Sequence, residues 1–378
     1  MAFDFIAEHL VNRQADALLR KRQLVEQSSG RFIQVAGKQY LNFASNDYLG
    51  FADDFIEIQA QHLGSHSSAL VNGYNKPQQQ LEQRLCELLG YESAMLFNSG
   101  FSANSSVLKA LFQDKSVAQS SAIFQDKLNH ASLIDGGLHS AAAMVRFNHN
   151  DLRHLESRLQ KSKAKHKLIV SEGVFSMDGD QAPIEALCKL AKQYNAWLMI
   201  DDAHGFGVLG EQGLGSCEAI KPDLLIITFG KALASSGACL LASKQMIDYM
   251  LQFNREYIYS TAMSPLMASC TLERLEKLLL KADQKRSQLT ENIAYFRELA
   301  KEHNLALMES TTAIQPLVLG DAEHTLAVAN KLKDKGVWLT AIRPPTVPFN
   351  TARLRVTISS AHHPDDIKML VNSLVECL

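Results

Sequence analysis

Between Ala94 and Ala242 the chain repeats one pattern that few folds can accommodate: a short apolar run, a turn, then a helical stretch. The runs are Ala94–Phe97, Met144–Phe147, Leu168–Val170, Ala196–Ile200, Leu224–Thr228 and Ala238–Ala242. They do not alternate apolar with polar residues, as a strand with one wet face would. Largely apolar runs of this length suit strands covered by helices on both faces. Helical patterns at Phe101–Phe112, Leu152–Leu159 and Ile184–Tyr194 lie between them. The β-α-β order predicts an α/β fold with a mostly parallel central sheet flanked by helices.

The flanks read differently. A helix from Phe5 to about Gln23 leads into a hairpin-like stretch, RFIQVAGKQYLNF, with Gly37 and Lys38 at its turn. From Pro265 a long charged helix, Leu266 to about Ala300, leads into a smaller α+β tail. The tail holds the strand runs AIQPLVLG, VWLTAI and RLRVTI, a helix near Thr325–Lys335 and a last helix from Pro364. In that last helix Ile367, Leu370, Val371 and Leu374 share one face. We therefore expect an N-terminal helix-and-hairpin segment over 1–44, a large α/β domain over 45–270 and a small α+β domain over 271–378.

Composition narrows the function. The 378 residues are 46% hydrophobic, enough for a sizeable core. Lys+Arg 38 against Asp+Glu 40 leaves a charge of −2 and no pull toward nucleic acid or an anionic membrane. No apolar run reaches the ~18–20 residues of a membrane span. The start, MAFDFIAEHLVNRQ, does not read as a signal peptide. Six scattered cysteines with no C-x-x-C pair suit reduced thiols in the cytoplasm, with no metal site.

Functional groups of parallel α/β sheets gather beyond the carboxyl ends of the strands. Here those ends carry Asp201 and His204 (LMIDDAHG), Thr228 and Lys231 (LIITFGK), Asn98, Ser99 and Gly100 (AMLFNSGF), and Glu172 and Ser176 (IVSEGVFSMDGD). His130, in NHASL, follows the apolar pair Ile123–Phe124. Singly, each has a bland reading as loop lysine, helix cap or structural histidine. Together on one rim they match the needs of pyridoxal phosphate (PLP). Its aldehyde needs a lysine amine, and its ring nitrogen needs a carboxylate that keeps it protonated. Its phosphate favours a helix N-terminus and hydroxyl donors, and its ring needs a flat partner.

The segments NFASNDYLG, NSGFSAN, NHASL, EGVFSMDGD, DDAHGFGVLGEQGLGS and TFGKALASSGA resemble those of the α-oxoamine synthases, which are fold-type-I PLP enzymes. The likeness runs from about Ala15 to the end of the chain. It implies that Lys231 carries the cofactor, Asp201 pairs with the ring nitrogen, His204 bonds the ring hydroxyl and His130 stacks on the ring. It further implies that Ser99, Gly100, Phe101, Ser176 and Thr228 line the cofactor. Ser260 and Thr261 would do so from the partner of a homodimer. By the same likeness Asn46 and Arg355 hold the amino-acid carboxylate, which suits a forked guanidinium. Arg20, Arg343 and Thr346 would lie along an acyl-thioester channel.

The segment TAIRPPTVPFNTARLRVTIS is similar to the branch that condenses L-alanine with a pimeloyl thioester in biotin synthesis. The alternative is a glycine-using branch, 2-amino-3-ketobutyrate ligase or 5-aminolevulinate synthase. Three positions depart from the family's habit: GSHSS at 64–68, Gln78 and Phe206. Two rival readings have less support. Gly205, Gly207 and Gly210 match a dinucleotide-binding G-x-G-x-x-G, but EQGLGS follows instead of an amphipathic helix. A metallohydrolase built on Asp201, Asp202 and His204 lacks a ligand spacing such as H-E-x-x-H.

Overall fold

A computed structural model describes residues 2–57 and 62–378. The chain divides into two compact units: residues 54–175 with 181–283, and residues 1–53 with 176–180 and 284–378.

The larger unit is built on a seven-stranded sheet. Its strands are β1 (Ser93–Phe97), β2 (Ser121–Asp126), β3 (Ala143–Phe147), β4 (His166–Glu172), β5 (Trp197–Asp201), β6 (Leu224–Thr228) and β7 (Ala238–Ala242). Their order across the sheet is β3-β2-β4-β5-β6-β7-β1. Neighbours pair in parallel from β3 to β6, and β7 runs antiparallel to both β6 and β1. Every residue of β2, β6 and β7 is buried, which for β6 and β7 goes with a nearly unbroken apolar texture. One face packs Leu168, Val170, Met199, Leu224, Ile226 and Leu240 against Val107, Leu108 and Leu133. Each such side chain contributes about 1.5–3 kcal/mol by leaving water.

Six of the seven strands correspond to the apolar runs. The seventh, β2, was hidden by its polar positions. Gln125 and Asp126 form its C-terminal end, fully buried and each with hydrogen-bond partners, so the strand does not look apolar.

The smaller unit holds a four-stranded sheet containing the 32–42 hairpin and a three-stranded sheet of Ile314–Gly320, Ala352–Thr357 and Thr340–Ile342. Four local expectations are corrected here. The first helix stops at Ala15, and the backbone turns left-handed at Ala17 (φ 56°). The hairpin turn is Ala36–Gly37, both at positive φ, because Val35 already pairs with Lys38. The long C-terminal helix is two helices, Pro265–Lys281 and Asp283–Glu302, parted at buried Ala282 with no proline or glycine to announce it. The run VWLTAI is also divided. Val337–Trp338 pairs in parallel with Lys38–Asn42, and Thr340–Ile342 pairs antiparallel with Ala352–Thr357.

Candidate active site

The parallel register brings the polar strand ends of the larger unit to one rim. Glu172 pairs with Asp201 across β4 and β5, and Asp201 with Ile226 across β5 and β6. Asp201 is buried. Its Oδ1 accepts the Ala203 N–H at 3.0 Å, and its Oδ2 accepts from Asn104 Nδ2 at 2.6 Å. His204 follows, buried, in the turn begun by the Phe206 N–H bond to the Asp202 carbonyl. Phe206, one of the departures from the family habit, is packed into the core.

Asp202 faces the other way and organises the loop. Its Oδ2 accepts the Ser216 N–H at 2.8 Å and its Oδ1 the Ser216 hydroxyl at 2.5 Å. A Cβ at Gly173, Gly205 or Gly215 would collide with this carboxylate, so these three glycines make room for it. Burial pushes the Asp202 pKa up to about 7, against the pull of the Ser216 hydrogen bonds. The unfolded chain releases this proton near pH 4 and the folded chain near pH 7. Asp202 therefore lends its full stability below about pH 4, and that contribution is lost as pH rises to about 7. The loss is at most about 4 kcal/mol. Urea unfolding of wild type and Asp202→Asn at several pH values between 4 and 8 is expected to show a flatter pH dependence for the variant. Parallel curves would remove Asp202 from the account.

The helix Gly100–Leu111 begins directly after β1, with Ser99 as N-cap accepting the Ser102 N–H at 3.1 Å. Its first N–H groups, at Gly100 and Phe101, are those a helix leaves without intrahelical acceptors. A Cβ on Gly100 would lie 2.6 Å from the Thr228 methyl, so only glycine lets the helix start this close to the end of β6. The Thr228 hydroxyl is buried and has no hydrogen-bond partner among the described residues. An orphaned hydroxyl beside a helix N-terminus is a cradle for a phosphate.

Lys231 is half-buried in the loop after β6. That loop is closed by the Phe229 N–H to Gly237 O and Ser235 N–H to Phe229 O bonds. His130 caps the helix Ala131–His139, with its backbone N–H donated to Glu172 Oε1 at 2.5 Å. Burial, with Asp201 adding to it, raises the Glu172 pKa well above the usual carboxylate range. Partial desolvation lowers the His130 pKa; Asp201 pulls it up and Lys231 pushes it down. The Phe101 and His130 rings meet edge-on at 6.4 Å.

Ser260 and Thr261 follow the short helix Arg255–Tyr259, and the Thr261 carbonyl accepts from Asn98 Nδ2 of the same chain at 2.9 Å. Gln78, another departure, is a buried brace. Its amide donates to the Gly73 and Met263 carbonyls, and its oxygen takes the Asn75 N–H. In the 64–68 stretch, Ser65 donates its hydroxyl to Ala262 O at 2.8 Å.

The remaining sequence-derived residues belong to the smaller unit. Arg355 is buried on the strand Ala352–Thr357. Its Nε donates to Ser176 O at 2.7 Å, and one Nη to Asn46 Oδ1 at 3.2 Å and Thr357 Oγ1 at 3.0 Å. Arg353, on the same face, pairs with Asp178 at 2.8 Å. Arg20 donates to Thr346 Oγ1 at 3.0 Å, and Arg343 to the Ala17 carbonyl. Ser176 thus sits in a segment fastened by arginines of this unit. Sequence reading passed over Asn104 and Ser132, whose side chains join Asp201 to His130. The available signal was a polar residue on the inner face of each helix, both buried.

The donor set of the larger unit fits PLP: a lysine, a buried carboxylate, a histidine, and an orphaned hydroxyl at a helix N-terminus. The chain belongs to the aminotransferase class I and II family, whose pattern matches residues 38–374. It resembles a serine palmitoyltransferase variant from S. paucimobilis with bound PLP-myriocin aldimine, at a TM-score of 0.89 and 26% identity, over 100% of this chain and 97% of that one. Its PLP dependence and fold type I follow from that membership. Within the family it groups with the 8-amino-7-oxononanoate synthases. It is 44% identical to that of Vibrio atlanticus over 99% of this chain and 93% of the relative. It is 46% identical to that of Yersinia pseudotuberculosis over 98% of each. The crystal structure of the Francisella tularensis enzyme of that name aligns at a TM-score of 0.74 and 29% identity, over 89% of this chain and 97% of that one. Among the described residues no helix is long and apolar enough to cross a membrane.

Proposed function

We infer that the chain is a PLP-dependent acyltransferase that condenses L-alanine with a pimeloyl thioester, releasing CO2 and the free thiol and yielding 8-amino-7-oxononanoate for biotin synthesis. The identity of 44–46% over nearly the whole chain carries this reading. In the reaction a C–C bond forms between the alanine Cα and the acyl carbonyl carbon. The C–S bond breaks, and the Cα–carboxylate bond breaks as CO2 leaves.

PLP, when bound, supplies an electron sink for the negative charge at the alanine Cα. Lys231 is the residue assigned to hold it, and its amine is the base that removes the Cα proton and later returns one. Asp201, held by the short bond from Asn104, would keep the ring nitrogen of the bound cofactor protonated. The N-terminus of the helix Gly100–Leu111 and the Thr228 hydroxyl are assigned to the phosphate. Ser260 and Thr261 are assigned to the same group across a homodimer interface. His130 would cover the ring face, and His204 would bond the ring hydroxyl. The alanine carboxylate is assigned to Arg355 and Asn46, and the acyl donor to Arg20, Arg343 and Thr346.

The test is to offer alanine and glycine in turn with pimeloyl, succinyl and acetyl thioesters, following thiol release and product mass. Alanine with the pimeloyl thioester is expected to lead in kcat/KM by at least about tenfold. A lead for glycine with a short thioester would move the chain to a glycine-using branch.

A further inference from the structure

The hydrogen bonds around His130 can be followed atom by atom, and they determine where its ring hydrogen sits. A carboxylate only accepts, so Asn104 must turn its NH2 group toward Asp201 Oδ2, 2.6 Å away. The second hydrogen of that NH2 goes to Ser132 Oγ at 3.0 Å. Ser132 Oγ thereby receives from Asn104 and has one hydrogen of its own to give. His130 Nδ1 lies 2.7 Å from it. The backbone N–H of Ser132 also donates to Nδ1, at 3.3 Å. A nitrogen that receives the backbone hydrogen carries none of its own, so the Ser132 hydroxyl donates to Nδ1 as well. A neutral imidazole whose Nδ1 only accepts carries its hydrogen on Nε2.

Nothing in this network is exposed except the outer part of the His130 ring. Asn104 and Ser132 are buried, and Ser132 is inaccessible to solvent. Among the described residues no hydrogen bond occupies His130 Nε2, so that N–H is open to a ligand. The His130 backbone is held independently by Glu172 Oε1, and the preceding Asn129 by Val170 O at 2.9 Å. The ring is therefore fixed in place by one set of bonds and in tautomer by another.

We propose that Asn104 and Ser132 are positioning residues that hold His130 as the neutral Nε2–H tautomer, so that it serves the reaction as a hydrogen-bond donor to the substrate and not as a base. The catalytic half of this statement rests on the function inferred above; the tautomer half rests on the hydrogen bonds alone. Among the described residues, the charged or titratable groups that face His130 are Asp201 at the end of β5, Lys231 in the loop after β6, Glu172 at the end of β4, and Asp135 one turn along its own helix. Asn104 also touches Asp201 and Ser132 does not, so the two variants separate the effects.

The experiment is nitrogen-15 NMR of histidine-labelled protein without cofactor, with the His130 signal assigned by its loss in His130→Gln. The wild-type ring is expected to show an unprotonated Nδ1 and a protonated Nε2 at pH 7–8. In Ser132→Ala the two tautomers should mix, and His130 should protonate at higher pH. The acid limb of the kcat profile should shift upward with it, and kcat should fall by on the order of tenfold. Asn104→Ala should do the same and also alter the pH dependence of the cofactor's absorbance, which Ser132→Ala should leave as in wild type. A wild-type ring carrying its hydrogen on Nδ1 would overturn the proposal without any variant. So would a Ser132→Ala protein with wild-type tautomer and pH profile. Loss of alanine-pimeloyl activity in a wild-type protein with the expected tautomer would instead overturn the catalytic half, through the function on which it rests.

Discussion

Replacing Lys231 with alanine is expected to lower kcat by about 10³–10⁴-fold or more, because in the proposed mechanism one amine both holds the cofactor and moves the Cα proton. The fold should tolerate the change. The loop from Phe229 to Gly237 is closed by backbone bonds: Phe229 N–H to Gly237 O, Ser235 N–H to Phe229 O, and Ala234 N–H to Lys231 O. None of these needs the lysine side chain, so the melting temperature should stay near that of wild type. Lys231→Arg keeps the positive charge but offers no amine nucleophile, and it should not restore turnover. Single-turnover assays, with cofactor retention followed by visible absorbance after gel filtration, check both points. Wild-type turnover by the alanine variant would overturn the assignment.

Asp201→Asn should be nearly as damaging to activity. The amide has the same shape, but it removes the negative charge, and with it about 10²–10³-fold in kcat. It also leaves a mismatch. Asp201 accepts from both Asn104 Nδ2 and the Ala203 N–H, and an amide can accept only on its oxygen. One buried donor loses its partner, at a cost of about 1–3 kcal/mol in stability. Asp201→Glu, which keeps the charge, should recover part of the activity. Steady-state kinetics and denaturant unfolding of both variants separate charge from stability. An asparagine variant with wild-type kcat would show that the carboxylate is not needed.

The central sheet was legible because its strands are buried on both faces, which forces long apolar runs. Leu224–Thr228 and Ala238–Ala242 match the observed strands end to end. Ser121–Asp126 was missed because a fully buried strand can hold Gln125 and Asp126 when their partners are supplied from elsewhere in the fold. The helix break at Ala282 and the division of VWLTAI were not legible either. Each is set by what the segment packs or pairs with, not by a local breaking residue.

The candidate site shows the same division. Lys231, Asp201, His204, Thr228 and His130 could be named because polar residues of unusual type stood at the ends of buried strands. The sequence by itself determined six of the seven central strands, which chemical groups stand at their ends, and the family to which the chain belongs. These follow from residue type and spacing, which act locally. The tertiary structure alone decided that Asn104 and Ser132 link Asp201 to His130. It alone decided that Asp202 sits in a nest of glycines, and that Ser176–Asp180 is fastened by Arg353 and Arg355. The bonds Asn104–Ser132, Asn104–Asp201 and Arg355–Ser176 join residues 28, 97 and 179 positions apart. A hydrogen bond at such separation depends on the packing of whole elements, and no local pattern in the chain encodes its partner.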